Sequence, residues 1–241
     1  MYEIRPRQKV VQADWISYMA ERALRSQDSA LKRFFETSLP DPGTPIAEVP
    51  MVALDMETTG LDERRHGIIS IGAVPFTLNR IKLTERRYWV VKPPRPLDEA
   101  SIAYHHITHS EIANAPDLDV VLNEVLETLA GRLVVVHFRN IERPFLDAAV
   151  KDRRGEGVMF PMIDTMSLEA RLHRQTLWAR FRRWIGQPPV SIRLNASRAR
   201  YGLPAYQGHH ALLDALATAE LFQAQIAHRY EPDTPLNTLW C

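Results

Sequence analysis

The chain has 241 residues, 45% of them hydrophobic, and a formal net charge of +1. This composition allows one large globular domain or two small ones, and it excludes disorder on a large scale. Because the total charge is close to zero, a surface that binds nucleic acid would have to be a local basic segment.

Cysteine usage and the absence of targeting signals indicate a cytoplasmic protein. The only cysteine is Cys241, so one chain can form neither an internal disulfide nor a cysteine-based metal cage. No charged-then-apolar leader opens the sequence, and no apolar run approaches the roughly 18 residues that a membrane span needs. We therefore expect a soluble protein without membrane partners.

The first part of the chain combines helical periodicity with a proline-rich segment. Apolar residues recur at spacings near 3.6 over residues 10–36, which predicts one or two amphipathic helices. Prolines at positions 40, 42, 45 and 50 prevent a helix from continuing. We predict a helical extension and connector over 1–48, a main domain over 49–230 and a tail over 231–241.

The remainder of the chain alternates short apolar runs with helical segments. Apolar runs predict strands at residues 51–56, 68–74, 88–91, 133–136 and 162–163. Periodicity and capping patterns predict helices after the capping box at 108–111, over 118–129, from Ile141, and from about His209 to Ala227. Antiparallel strands followed by strands that alternate with helices indicate an α/β fold with a mixed sheet.

Two acids interrupt the first predicted strand. Asp55 and Glu57 are two residues apart, so both side chains point to the same face. Such close like charges are costly unless a cation neutralises them or one acid takes up a proton. Oxygen ligands favour Mg²⁺ or Mn²⁺, whereas zinc usually recruits His or Cys. The alternative is that both acids cap the next turn and face solvent.

A third acid, Asp214, lies near the start of the last predicted helix. His209 precedes it by five residues. A histidine near a metal site can take a proton from a water whose pKa the cation has lowered. Considered alone, His209 or its neighbour His210 is more often a capping or solvated residue than a base, and the combination with the three acids favours a base.

These segments resemble the motifs of a known family. The run from Leu54 to Gly60 resembles the first motif of the DEDD exonuclease superfamily, and the run from His209 to Ala215 resembles the third motif of its DEDDh, or DnaQ-like, branch. The resemblance covers roughly residues 49–230. It implies an RNase H-like fold, in which helices flank a five-stranded mixed sheet and the site lies at the end of the first strand.

The resemblance also implies a function. It predicts a 3′→5′ exonuclease that acts on a single-stranded or frayed 3′ end and releases nucleoside 5′-monophosphates. Two Mg²⁺ or Mn²⁺ ions would be held by Asp55, Glu57, Asp214 and, more loosely, Glu142. His209 would be the general base. The predicted contacts to the terminal nucleotide are Met56, Thr58, Thr59 and His137.

The middle motif departs from the family pattern. The family has His-Asn-x-x-Phe-Asp, but here Phe138 replaces Asn and Glu142 replaces the metal-binding Asp. Glutamate keeps the charge and adds one methylene, which puts direct coordination in doubt. Asp147 is the rival ligand, and Glu142 is preferred because Asp147 is turned away from it on the same helix. His210, where a related branch carries tyrosine, is the rival base.

Substrate and partner remain open at this point. Eight arginines and three aromatic residues share residues 171–200 without an acid, which suits phosphates and bases but equally suits an ordinary amphipathic helix. His105, His106, His109 and His137 have the pattern of structural residues or of modest substrate contacts. Rival functions are an RNA-processing exonuclease and an inactive nucleic-acid-binding module. A polymerase or another protein is expected to bind through the N-terminal helices.

Overall fold

A computed structural model of the chain describes residues 14–37, 39–94, 107 and 109–241. The α-helices are α1 (Trp15–Arg25), α2 (Ser29–Glu36), α3 (His109–Ala113), α4 (Leu118–Leu129), α5 (Arg139–Arg154), α6 (Thr165–His173), α7 (Leu177–Trp184), α8 (Leu194–Arg200) and α9 (Ala211–Arg229). The strands are β1 (Met51–Thr58), β2 (Ile68–Phe76), β3 (Arg87–Val90), β4 (Leu133–Val136) and β5 (Met162–Asp164). Within these ranges, no helix is long and apolar enough to cross a membrane.

Part of the sequence interpretation falls on other residues. The predicted helical residues 10–13, both His105 and His106, and the first residue of the capping box, Thr108, lie outside the described ranges.

The five strands form one mixed sheet in the order β3-β2-β1-β4-β5. β2 pairs antiparallel with β1 and with β3, whereas β4 runs parallel to β1 and to β5. The predicted mixed sheet, with its antiparallel beginning, is therefore confirmed. β1 extends two residues beyond the predicted end, to Thr58, and β3 begins one residue earlier than predicted, at Arg87.

Side chains of β1 alternate between two hydrophobic cores, one on each face of the sheet. The even-numbered residues of 52–56 belong to the core that includes α4 and α5. Met51 and Ala53 belong to the core that includes α9. Because strand side chains alternate with a period of two, Asp55 and Glu57 continue the α9 side of the sheet.

Gly72 on β2 allows the first turn of α9 to lie directly on the sheet. Gly72 is the cross-strand partner of Asp55. A Cβ atom at this position would lie less than 3.0 Å from the backbone of both Ala211 and Leu212. The missing side chain therefore lets α9 bring Asp214, in its first turn, over the end of β1.

The two N-terminal helices share the core of the main domain. Leu31, Phe34 and Phe35 of α2 belong to the same hydrophobic core as the even-numbered residues of β1. The Glu156 carboxylate, just after α5, pairs with Arg22 of α1 at 3.0 Å. The predicted extension is thus packed against the α4 and α5 side of the sheet.

The C-terminal segment packs beside β5. Leu236, Leu239 and Trp240 are buried in the core that includes α9. The backbone of Cys241 exchanges two hydrogen bonds with Met162, with N–O distances of 2.8 and 3.2 Å. The last two residues of the predicted tail over 231–241 therefore pair with β5 at the edge of the sheet.

Gly72→Ala tests whether the close approach of α9 matters. The added methyl group overlaps backbone rather than a flexible side chain, so we expect a loss of about 1–3 kcal/mol or more in the free energy of unfolding. Urea denaturation measures it. Gly43→Ala is the control, because Gly43 is exposed and its Cβ would meet only the Asp41 carboxylate. Equal stability of the two variants would contradict the argument.

Candidate active site

Three acidic side chains converge where the end of β1 meets the start of α9. Asp55 and Glu57 come from β1, and Asp214 comes from the first turn of α9. One carboxylate oxygen of each lies within 4.8 Å of those of the other two. The three sequence-predicted ligands are therefore close enough to share one cation.

Burial and mutual repulsion raise the pKa of acids in this cluster. The pKa of Asp55 lies well above its usual value because the carboxylate is buried and faces the charges of Glu142, Asp214 and Glu57. The pKa of Glu57 is raised from 4.5 to about 7 by burial and by the charge of Asp214. In the absence of a cation, the cluster therefore retains protons close to neutral pH.

Glu142 lies buried at the edge of the cluster, on the first turn of α5. Burial raises its pKa well above the usual value, and the charges of Asp164 and Glu57 add to the effect. Its Oε2 atom is buried without a hydrogen-bond partner among the described residues. Glu142 does not join the three acids whose oxygens lie within 4.8 Å of one another, although its charge acts on Asp55.

The rival acid, Asp147, lies elsewhere on α5. Burial raises its pKa, and the charges that oppose this are those of Lys151 and Arg22. Its carboxylate also accepts a hydrogen bond from the backbone of Val158. None of these neighbours belongs to the acidic cluster, so the structure does not bring Asp147 to the site.

The turn between β4 and α5 is held by a buried acid. Phe138 has a φ of 94°, a left-handed conformation that is rare for a bulky residue. Its backbone N–H donates to Asp164 Oδ1 over 3.0 Å, and Arg139 donates to Asp164 Oδ2 over 3.2 Å. Asp164 also accepts from the N–H of Met166 and so caps α6. It thereby fixes the start of α5, and with it the position of Glu142.

The two adjacent histidines precede α9, which corrects the predicted helix start at about His209. His209 has a left-handed φ of 65°, and His210 is the N-cap of the helix. The His210 ring stacks on that of Tyr88 with centroids 4.6 Å apart, and its backbone N–H donates to Asp214 Oδ2 over 3.1 Å. His209, by contrast, is exposed on the loop that leads into α9.

The structure limits the predicted nucleotide contact at Met56 to its backbone and places Thr58 and Thr59 directly after Glu57 on the chain. The Met56 side chain is buried in the core that includes α4 and α5, so only its backbone remains available. The Thr58 hydroxyl donates to the Gly60 carbonyl over 2.7 Å, and the Thr59 hydroxyl accepts from the N–H of Gly67 over 3.0 Å. Both threonines thus shape the loop that follows β1.

His137 is a structural residue in this fold, which is one of the two roles that the sequence left open for it. The ring is buried, with Nδ1 2.8 Å from the Thr165 hydroxyl and Nε2 3.1 Å from the Ile192 carbonyl. Burial lowers its pKa to about 4, so the imidazole is neutral at physiological pH. Both nitrogens are occupied, and the ring ties β4 to α6 and to the segment before α8.

Tyr206 contacts the Asp214 carboxylate, a role that the sequence interpretation missed. Its hydroxyl donates a hydrogen bond to Asp214 Oδ1, and the Arg198 guanidinium lies 5.0 Å from its ring centroid. Arg198 is buried, donates to the Ala217 carbonyl over 2.8 Å and pairs with Glu220 at 2.7 Å. Helix α9 therefore holds the arginine that supports the tyrosine. Tyr206 lies in a loop eight residues before Asp214, and no helical or strand periodicity in the sequence predicts that the two side chains are in contact.

All the ligands that this cluster offers are oxygen atoms. Carboxylates suit a hard divalent cation, whereas zinc usually adds His or Cys ligands. Glu142 Oε2 has no hydrogen-bond partner among the described residues, and the pKa values of Asp55 and Glu57 are raised, which indicates that these residues leave the negative charge of the cluster uncompensated. The residues present therefore fit a divalent metal ion.

Comparison with known protein families identifies the family to which the chain belongs. The family profile RNase_T, described as Exonuclease, matches residues 52–222, which include all four clustered acids. The chain belongs to this exonuclease family. The resemblance inferred from the first and third motifs is thereby confirmed.

Relatives within the exonuclease family include DNA polymerase III proteins. The PolC-type DNA polymerase III of Thermotoga petrophila is 31% identical over 171 residues, which cover 71% of this chain and 11% of that protein. The epsilon subunit of DNA polymerase III of Treponema pallidum is 27% identical over 180 residues, which cover 75% of this chain and 78% of that protein. The chain thus corresponds to a small part of the PolC-type relatives.

Solved exonucleases share the fold at low sequence identity. The nuclease domain of 3′hExo, a DEDDh family member bound to rAMP, has a TM-score of 0.59 and 14% identity, covering 78% of this chain and 94% of that one. Exonuclease X in complex with 5′ overhanging duplex DNA has a TM-score of 0.56 and 22% identity, covering 78% and 98%. The predicted RNase H-like fold is confirmed.

Tyr206→Phe will weaken metal binding. The hydroxyl orients Asp214, and losing such a partner of a metal ligand typically costs about 10- to 100-fold in affinity. Titration with Mn²⁺, followed by electron paramagnetic resonance of the free ion, measures the change. The matched control is Tyr201→Phe, which removes a 2.8 Å hydrogen bond from a tyrosine to Glu169, outside the cluster. Equal affinities in the two variants would show that Tyr206 does not position Asp214.

Mn²⁺ will stabilise the protein more at high pH than at low pH. The pKa of Glu57 is raised from 4.5 to about 7, so between these values the folded protein keeps a proton that the unfolded chain has released. The metal-free protein therefore loses stability as the pH rises from 4.5 to about 7. A bound cation removes that loss, because it neutralises the deprotonated cluster.

Scanning calorimetry with and without Mn²⁺ measures this effect. The rise in unfolding temperature on adding Mn²⁺ is expected to be larger at about pH 8 than at about pH 5.5. Glu57→Gln should reduce both the rise and its pH dependence, since it removes a titrating ligand. A pH-independent rise in the unaltered protein would mean that the cation does not bind at these acids.

Proposed function

We propose that the chain is a metal-dependent 3′→5′ exonuclease that releases nucleoside 5′-monophosphates from a nucleic acid 3′ end. The observation that carries this proposal is the convergence of Asp55, Glu57 and Asp214, with Glu142 at the edge. Membership of the exonuclease family supports the same reaction. The product follows from hydrolysis of the bond between the last phosphorus and the 3′ oxygen of the preceding nucleotide, which leaves the phosphate on the 5′ oxygen of the released nucleotide and a 3′ hydroxyl on the strand.

The four acids have distinct places in the proposed reaction. When bound, Mg²⁺ or Mn²⁺ would stabilise charge on the scissile phosphate and lower the pKa of the attacking water. Asp55, Glu57 and Asp214 would hold the two cations, since one carboxylate oxygen of each lies within 4.8 Å of those of the other two. Glu142, whose charge acts on Asp55, would supply further negative charge from the edge of the cluster.

His209 is the proposed general base. It precedes Asp214 by the spacing of the DEDDh motif and is exposed, so it can accept a proton from the attacking water and pass it to solvent. The stacking of His210 on Tyr88 supports the choice between the two histidines. Thr58, Thr59 and the backbone of Met56 follow the acids along β1 and are proposed to hold the terminal nucleotide.

DNA is the proposed substrate, and RNA is the second candidate. The relatives are named as DNA polymerase III proteins, and Exonuclease X is described in complex with duplex DNA. RNA remains a candidate because the 3′hExo nuclease domain is described with rAMP. Degradation of matched DNA and RNA strands, compared side by side, separates the two. Association with a polymerase through the N-terminal helices, and a cytoplasmic location, belong to the same proposal.

Glu142→Gln will lower the rate of mononucleotide release on the order of 100-fold, because the amide keeps the shape and removes the charge. Glu142→Asp should retain activity. The matched control is Asp147→Asn, which neutralises an acid of the same helix outside the cluster. Rates are measured with a 3′-labelled strand and Mn²⁺.

Two outcomes would overturn parts of this assignment. A silent Glu142→Gln with a damaging Asp147→Asn would make Asp147 the ligand. If the unaltered protein binds nucleic acid but releases no mononucleotide with Mg²⁺ or Mn²⁺, the chain is a binding module rather than a nuclease.

A further inference from the structure

Helix α7 presents an uncovered aromatic face. None of its residues is buried, and Leu177, Trp178 and Trp184 are 80%, 67% and 82% exposed. The Trp178 and Phe181 rings stack with centroids 5.6 Å apart, and the Phe181 and Trp184 centroids are 6.0 Å apart. Exposure of several large aromatic rings in one row is unusual for a face that binds nothing.

The charges around this face have one sign. From position 170 to 213 the sequence contains eight arginines and no acid. Some of these arginines serve the fold, as Arg198 does. Within the described part of the chain, however, the side chains of Arg180, Arg183 and Arg193 have no hydrogen-bond or ion-pair partner. The aromatic row is therefore flanked by guanidinium groups that are available to an anion.

The segment that carries α7 leads back towards the acidic cluster. At its base, Arg174 Nε donates to the Val190 carbonyl over 3.0 Å. The Ile192 carbonyl lies 3.1 Å from Nε2 of His137, an imidazole on which the charge of Asp214 acts. Asn195 follows, and a Cβ atom on Gly208 would lie 3.9 Å from its Nδ2 and 3.6 Å from Asp214 Oδ1.

A depression beside α7 adds a concave element. It has a volume of about 100 Å³ and lies between α7 and residues 187–190. Trp178, Arg182 and Arg183 contribute to its wall. Aromatic and guanidinium groups thus line it together.

We propose that α7 and residues 187–190 form a docking surface for the single-stranded part of a nucleic acid whose 3′ end enters the acidic cluster. Bases stack on Trp178, Phe181 and Trp184, and Arg180 and Arg183 contact phosphates. Stacking on aromatic rings tolerates any base, which an enzyme that removes successive nucleotides requires. This inference rests on the proposed function for the location of the 3′ end, but binding itself does not require hydrolysis.

Charge favours nucleic acid over the other occupants. A second copy of the chain would place like-charged arginine segments against each other, which is unfavourable for a symmetric contact. An apolar protein partner accounts for the aromatic row but not for the surrounding arginines without acids. An anionic membrane surface satisfies both features and is therefore tested directly.

Tryptophan fluorescence reports on this surface selectively. The other three tryptophans, Trp15, Trp89 and Trp240, are buried, so an exposed quencher acts on Trp178 and Trp184. In metal-free buffer, a single strand of about 12 thymidine nucleotides should quench the emission and bind with a measurable Kd. The double variant Trp178→Ala/Trp184→Ala should bind about 10- to 100-fold more weakly, as measured by fluorescence anisotropy of a labelled strand.

The arginines and a matched control complete the test. Arg180→Gln/Arg183→Gln should reduce the slope of log affinity against log salt by about 0.7 per lost phosphate contact. The control, Leu24→Ala/Val120→Ala, removes exposed apolar side chains from α1 and α4 and should bind as the unaltered protein does.

Several results would overturn the proposal. These are unchanged affinity in both double variants, binding of the protein to phosphatidylglycerol vesicles in place of the oligonucleotide, and a dimer that the tryptophan variant dissociates. Binding through α7 without any metal-dependent hydrolysis would sustain this surface and refute the proposed function. Hydrolysis with unaltered binding in the variants would do the reverse.

Discussion

The structure depends on three convergent carboxylates, Asp55, Glu57 and Asp214, with Glu142 close enough for its charge to act on Asp55. Among the described residues, the charges that act on Asp55 are all those of other acids, so they repel it. The side chains of a strand alternate between its two faces, and Met51 and Ala53 are buried on the face of β1 that α9 covers. Asp55 and Glu57 follow the same alternation, so their side chains are fixed on that face. Asp214 is also fixed in position, because the first turn of α9 packs directly against the backbone of β2 at Gly72. The fold therefore imposes the charge density, and protons or a cation must offset it.

The surroundings of the cluster are built to keep these acids in place. Asp164 holds the turn that starts α5, even though Phe138 must adopt a left-handed backbone there. Arg198, buried against α9, holds the ring of Tyr206 beside Asp214. Such strain and such buried polar contacts cost free energy, and they persist where the surrounding structure fixes them. Here, they fix the direction of ligands that repel one another.

The sequence sufficed for the fold and for the candidate ligands, but not for the supporting contacts. Periodicity predicted the sheet, and the spacing of Asp55, Glu57, His209 and Asp214 carried the family. His209 has a left-handed backbone, and α9 begins only at Ala211. Two adjacent histidines do not indicate such a conformation in the sequence.

Local patterns also left open which side chains are available to a substrate. His137 and Met56 both lie within family motifs. The His137 ring, however, contacts the Thr165 hydroxyl and the Ile192 carbonyl, and the Met56 side chain is packed in the hydrophobic core. Tertiary packing decides such roles.

The role of Glu142, the glutamate of the middle motif, can be inferred from a missing hydrogen-bond partner of its carboxylate. A structural acid in a protein core is paired, as Glu169 is with Arg200, Tyr201 and Gln225. Glu142 is equally buried, but its Oε2 has no partner in the described part of the chain. An unsatisfied buried polar atom costs about 1–3 kcal/mol, and more when charged. A cation within reach of the Glu142 carboxylate would remove that cost, so the missing partner of Oε2 favours the proposal that Glu142 is a metal ligand.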